Sequence, residues 1–91
     1  MDIAKVRRSL VKLRARKANV RFRELKTLLK AAGWVERTGG RHQSVFVKPG
    51  RRPIPIPDHP KGPKVFFVEA VLEQIELDMA MEEERSADNN R

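Results

Sequence analysis

Proline alternates with isoleucine through Pro53-Ile54-Pro55-Ile56-Pro57. In an extended chain Ile54 and Ile56 share one face. Each proline, however, lacks the N–H that a strand donates to its neighbour. Such a segment predicts a strand at a sheet edge, or a partly polyproline-like one. Any sheet in this chain should therefore end there.

The segments before it supply partners. His42 to Val47 alternates, with His42, Ser44 and Phe46 on one face and Gln43, Val45 and Val47 on the other. Trp34 to Arg37 is a third extended stretch. Thr38-Gly39-Gly40 and Lys48-Pro49-Gly50 supply the turns, which predicts a three-stranded antiparallel meander. Gly39 and Gly40 are too few for a phosphate-cradling loop, and no helix follows them, so they read as a hairpin turn.

Helical spacing flanks the meander. Ile3, Val6, Leu10 and Leu13 form a stripe opposite Lys5, Arg7, Arg8, Lys12 and Arg14. This helix is expected from Asp2 to about Arg16. Phe22, Leu25, Leu28, Leu29 and Ala32 form a second stripe, from about Arg21 to Ala32, closed by Gly33, which tolerates the left-handed conformation of a helix end. Asp58-His59-Pro60-Lys61-Gly62-Pro63 is a rigid connection, and Pro63 suits the first turn of a last helix carrying Val65, Val68, Leu72, Ile75 and Met79. The predicted fold is α+β: a small three-stranded antiparallel sheet with helices packed on one face, plus an extra N-terminal helix.

Charge narrows the partners. Residues 1–64 hold 18 Lys/Arg against 4 Asp/Glu, and residues 65–91 hold 2 against 8, so a basic body carries an acidic end. The net +8 favours a polyanion, nucleic acid rather than membrane. Cysteine is absent, which excludes disulfides, thiolate nucleophiles and Cys-based zinc sites. No apolar run approaches the ~20 residues that span a bilayer, and the N-terminus shows no signal peptide, so a cytoplasmic protein without cofactor is expected. The segment from Met81 onward reads as a frayed acidic tail.

The run from Asn19 to Leu77 resembles the HicA family of type II toxin–antitoxin toxins. The resemblance rests on Phe22-Arg23-Glu24-Leu25-Lys26-Thr27-Leu28-Leu29-Lys30-Ala31-Ala32-Gly33-Trp34, then Gly40-Arg41-His42, Val45-Phe46, Pro57-Asp58-His59, and the final helix from Val65 to Ile75. It implies a double-stranded-RNA-binding-domain-like fold. It also implies a ribosome-independent mRNA endoribonuclease, neutralised by a HicB-like antitoxin, with His42 as the catalytic residue. Two positions depart from the family pattern: Arg41 replaces the signature serine, and Gln43 replaces a frequent second histidine. The division expected is a basic helical extension over 1–18, a HicA-like domain over 19–80 and an acidic flexible tail over 81–91. The free chain is expected to be a monomer.

The residues themselves are consistent with that chemistry. Metal-free RNA cleavage needs a base for the 2′-OH, an acid for the leaving 5′-oxygen and cations around the phosphorane. Histidine titrates near working pH and suits the proton transfers. His42 follows the double glycine, and Arg37, Arg41, Lys48, Arg51 and Arg52 lie around it in sequence. If the strands form a meander, these cations should flank the histidine on one side of the sheet. Gly40, Lys61 and Lys64 complete the expected RNA-binding set, with His59 a second candidate contact for substrate or antitoxin. His42 and His59 lie too irregularly spaced for a recognised metal site. On composition alone, His42 reads as a solvated strand histidine, and His59 as a loop histidine that hydrogen-bonds locally; it is the resemblance that turns His42 into a catalytic candidate. Trp34 and Phe46 read as core. Phe66 and Phe67 are adjacent on a helix, so one of them should be available to a protein partner. A non-cleaving RNA-binding module of the same fold, or a protein-interaction domain for an acidic partner, remain the alternatives.

Overall fold

The computed structural model describes residues 1–38, 43–57 and 61–89. The order is α1 (Ile3–Arg14), a short 3-10 turn at Lys17–Asn19, α2 (Phe22–Ala31), β1 (Val35–Thr38), β2 (Gln43–Val47), β3 (Ile54–Pro57) and α3 (Val65–Asn89). The α+β meander with an N-terminal helix is thus the architecture expected from periodicity.

Local chemistry explains the element ends. The Asp2 carboxylate accepts the Lys5 backbone N–H at 3.2 Å and starts α1. Glu24 reaches back to accept the Arg21 N–H at 3.1 Å at the start of α2. At the other end of α2, Gly33 N donates to Lys30 O at 3.0 Å and Trp34 N to Leu29 O at 2.9 Å. With Gly33 at φ +93°, this is a Schellman close that turns the chain straight into β1.

The sheet order is β1-β2-β3, both pairs antiparallel. The proline-rich β3 pairs only with β2 and is an edge, as its missing donors require. Glu36, Phe46 and Ile54 share a register row, and Ser44 and Ile56 lie on the same face. Phe46 and Ile56 are buried there with Leu25, Leu28 and Leu29 of α2 and with Val68, Val71, Leu72 and Ile75 of α3. Val6, Leu10 and Leu13 bring α1 into the same core. The other face of the sheet stays open: Val35 is 59% exposed, and Arg37, Pro55 and Pro57 are exposed with it.

Two expectations change. Val65 belongs to the last helical stripe by spacing but lies exposed at its start, while Val71 is buried. The segment past Met81, expected to fray, continues α3 as helix to Asn89. Lys17 of the 3-10 turn pairs with Glu69 at 3.6 Å, and Arg14 and Arg7 of α1 pair with Glu76 and Glu83, so acids seven residues apart on α3 meet cations spaced back toward the N-terminus.

Candidate nucleic-acid interface

The register divides the sheet into two ends. At one end, Gln43 stands opposite Pro57. Gln43 follows His42 in the chain, and Pro57 precedes the 58–60 connection. At the other end, the turn after Val47 carries Lys48, Arg51 and Arg52. Four strand residues, about 13 Å, separate the two ends. Lys48, Arg51 and Arg52 therefore do not flank the Gln43 end as the sequence suggested. Gly40, Arg41, His42 and His59 lie outside the described residues.

Lys48 and Arg51 also face inward. Asp78 on α3 is only 2% exposed, and four groups converge on it. Arg51 Nε donates to its Oδ1 at 2.6 Å, Gln74 Nε2 to the same oxygen at 3.0 Å, and Trp34 Nε1 to Oδ2 at 2.9 Å. Lys48 Nζ lies 3.7 Å from Oδ2 and donates to Ala32 O at 2.7 Å, capping the last turn of α2. Burial alone would push the Asp78 carboxyl up. The hydrogen bonds from Arg51, Trp34 and Gln74, with the charge of Lys48, outweigh it and hold the group below the usual aspartate range. This cluster fastens the β2–β3 turn to α3. Trp34, expected in the core, is buried with its indole N–H satisfied by this carboxylate.

A second polar cluster lies on the helix-covered face nearer the Gln43 end. Glu36 Oε2 accepts from Ser44 Oγ at 2.8 Å, and Glu36 Oε1 sits 2.8 Å from Lys26 Nζ and 3.8 Å from Lys30 Nζ. Hydrogen bonds from Lys26 and Ser44 hold the Glu36 carboxyl below its ordinary value, against a smaller effect of burial. The sequence alone does not join these residues. Their only signal was that Glu36 and Ser44 share a face once the meander register is drawn.

Four of the expected cations are exposed, and further ones lie on the helices. Arg37 is exposed on the open face, in one row with Val45 and Pro55. Lys61, Lys64 and Arg52 are exposed. Arg8, Lys12, Arg21 and Arg23 are exposed on the helices, and Lys12 and Arg23 line a shallow cleft between α1 and α2 with Ser9 and Thr27. Among the described residues, Arg37, Arg52, Lys64, Arg8, Lys12, Arg21 and Arg23 make no ion pair. No helix among the described residues is long and apolar enough to cross a membrane.

Comparison with known proteins gives the family. No curated protein and no solved structure matches the chain. A family model described as the HicA toxin of bacterial toxin–antitoxin systems matches residues 22–77, from the first residue of α2 through the whole meander and into α3. That span is more than half of the chain and leaves α1 outside it. The chain belongs to the HicA toxin family, and is the toxin member of a toxin–antitoxin system.

Proposed function

We propose that the chain is a metal-independent mRNA endoribonuclease that acts in the cytoplasm and is neutralised by a HicB-like antitoxin. The observation that carries this reading is the family match across residues 22–77, a span that includes the histidine of Gly40-Arg41-His42. In this reading His42 removes the 2′-OH proton, and the freed oxygen attacks the adjacent phosphorus. The 5′-oxygen then leaves as it is protonated. Arg37, Arg41, Lys61 and Lys64 supply the positive charge that grips phosphate and holds the developing oxyanion. Lys48 and Arg51 take a structural part, since Asp78 and the Ala32 carbonyl already occupy their nitrogens. Gly40 allows close approach of the backbone to substrate, and His59 is a further contact.

One positioned proton-transfer group is worth ~10²–10⁴-fold. His42→Ala should therefore lower cleavage of single-stranded RNA by about that factor and relieve growth arrest on induction. Equal RNA integrity with wild-type and variant protein would reject the nuclease reading. A second reading is favoured by Arg41 and Gln43, which stand where the family carries a serine and often a histidine. In that reading the same surface binds RNA without cutting it, so the variant and wild type bind alike and neither cleaves.

A further inference from the structure

The end of β3 and the start of α3 enclose a cleft of about 360 Å³ lined by Pro57, Pro63, Lys64, Phe66 and Phe67. Phe66 is 60% exposed. Its ring centroid lies 4.1 Å from that of Phe67, with 31° between the planes. An isolated exposed phenylalanine needs no explanation. Here two aromatic rings and two prolines are grouped around one lysine, while Val68, Val71 and Leu72 are buried in the core.

We propose that this cleft takes one nucleobase of single-stranded RNA, stacked on Phe66, with the attached phosphate held by Lys64. The inference rests on the ribonuclease reading for its ligand class. Three features favour RNA over a protein segment. Flat aromatic walls beside a cation match a base beside its phosphate, and such stacking tolerates any sequence. Lys64 is exposed and makes no ion pair among the described residues, so its charge is available. The cleft also continues the open sheet face: Arg37, Val45 and Pro55 form one row, and Pro57 is the next β3 residue on that face. Arg37 and Pro55 are about 10 Å apart across two strand spacings. A strand lying over this face would run from the Arg37 guanidinium to the Phe66 ring. It would pass Pro57, the partner of the residue that follows His42.

The test uses the full chain carrying His42→Ala, so that binding is measured without cleavage. Fluorescence anisotropy with a short labelled oligouridylate is compared with an abasic ribose–phosphate oligomer of equal charge. Phe66→Ala should weaken oligouridylate binding about five- to a hundredfold, leave abasic binding unchanged, and leave the thermal midpoint unchanged because the ring is mostly exposed. Phe66→Trp should restore affinity, and Phe66→Leu should not. Lys64→Ala should reduce the salt slope of both ligands by about one. Unchanged oligouridylate affinity in Phe66→Ala would overturn the proposal, as would full rescue by Leu. Loss of antitoxin neutralisation in Phe66→Ala with RNA affinity intact would assign the surface to protein and overturn it too. Cleavage by the His42 protein is scored separately. Stacking without cleavage would reject only the nuclease, and cleavage with RNA affinity indifferent to Phe66 only the stacking site.

Discussion

Asp78 is the residue whose loss should cost most. Its side chain is fully enclosed and accepts from Arg51, Gln74 and Trp34, so removing it strands an indole N–H and leaves two cations without their counter-ion. Breaking a buried pair by deleting one partner costs ~3–5 kcal/mol. Because Arg51 and Lys48 keep some access to solvent, Asp78→Ala should fall near the lower figure, about 3 kcal/mol by urea unfolding. Asp78→Asn keeps the shape and one acceptor oxygen and should lose less. Equal stability of all three proteins would mean that the cluster is ornamental. Nothing in the local sequence marks this aspartate. It stands among Glu69, Glu73, Glu76 and Glu82 on the last helix, and Arg51 and Trp34 are brought to it from 27 and 44 positions away.

Elements were legible where the signal is local. The stripes of α1 and α2, the proline-bounded edge strand and the closing role of Gly33 each depend on residues within one or two turns, and each appears where its spacing predicts. Gly33 gives a direct check. A Cβ there would meet Lys48 Cε and Nζ, each at 3.6 Å, ordinary contacts, so the penalty of Gly33→Ala is the left-handed backbone. That is worth ~1–2 kcal/mol, and a thermal melt should register it. No loss of midpoint would mean that the Schellman close gives way to another helix end. What could not be read were features made by distant elements. Beyond Met81, the pairing of Glu83 with Arg7 joins residues 76 positions apart. The inward turn of Lys48 and Arg51 depends on α3. All three strands appear in the expected order, yet Lys48, Arg51 and Arg52 lie away from the Gln43 end because the β2–β3 turn is at the far end of the strand. Of the candidate site, Arg37, Lys61 and Lys64 are exposed as an RNA contact requires.

At the scale of the molecule, three carboxylates make stability depend on acid. The Arg16 hydrogen bond holds Glu24 below its usual value, Lys26 and Ser44 do so for Glu36, and for Asp78 the Arg51, Trp34 and Gln74 bonds overcome burial. Each folded-state value lies under the unfolded one, so the native state binds fewer protons. The stabilisation is complete above the unfolded carboxylate range, ~4, and is lost as pH falls through the lower folded values. The thermal midpoint should stay level between neutral pH and about 5 and drop below about 4. The fall should be shallower in Asp78→Asn, and a midpoint independent of acid would contradict the assigned charge states. The same bookkeeping limits the polyanion-binding surface. Arg7, Arg14, Arg16 and Lys17 are paired with acids within the molecule, so a phosphate chain meets fewer free cations than the 20 Lys and Arg of the sequence.

The ion-pair ladder between α1 and α3 has a consequence for how the protein is made. Translation delivers α1 before α3, so during synthesis the guanidinium groups of Arg7 and Arg14 wait for Glu83 and Glu76. A nascent HicA chain therefore presents more free positive charge than the finished one, beside the RNA-rich surface of the ribosome that is producing it.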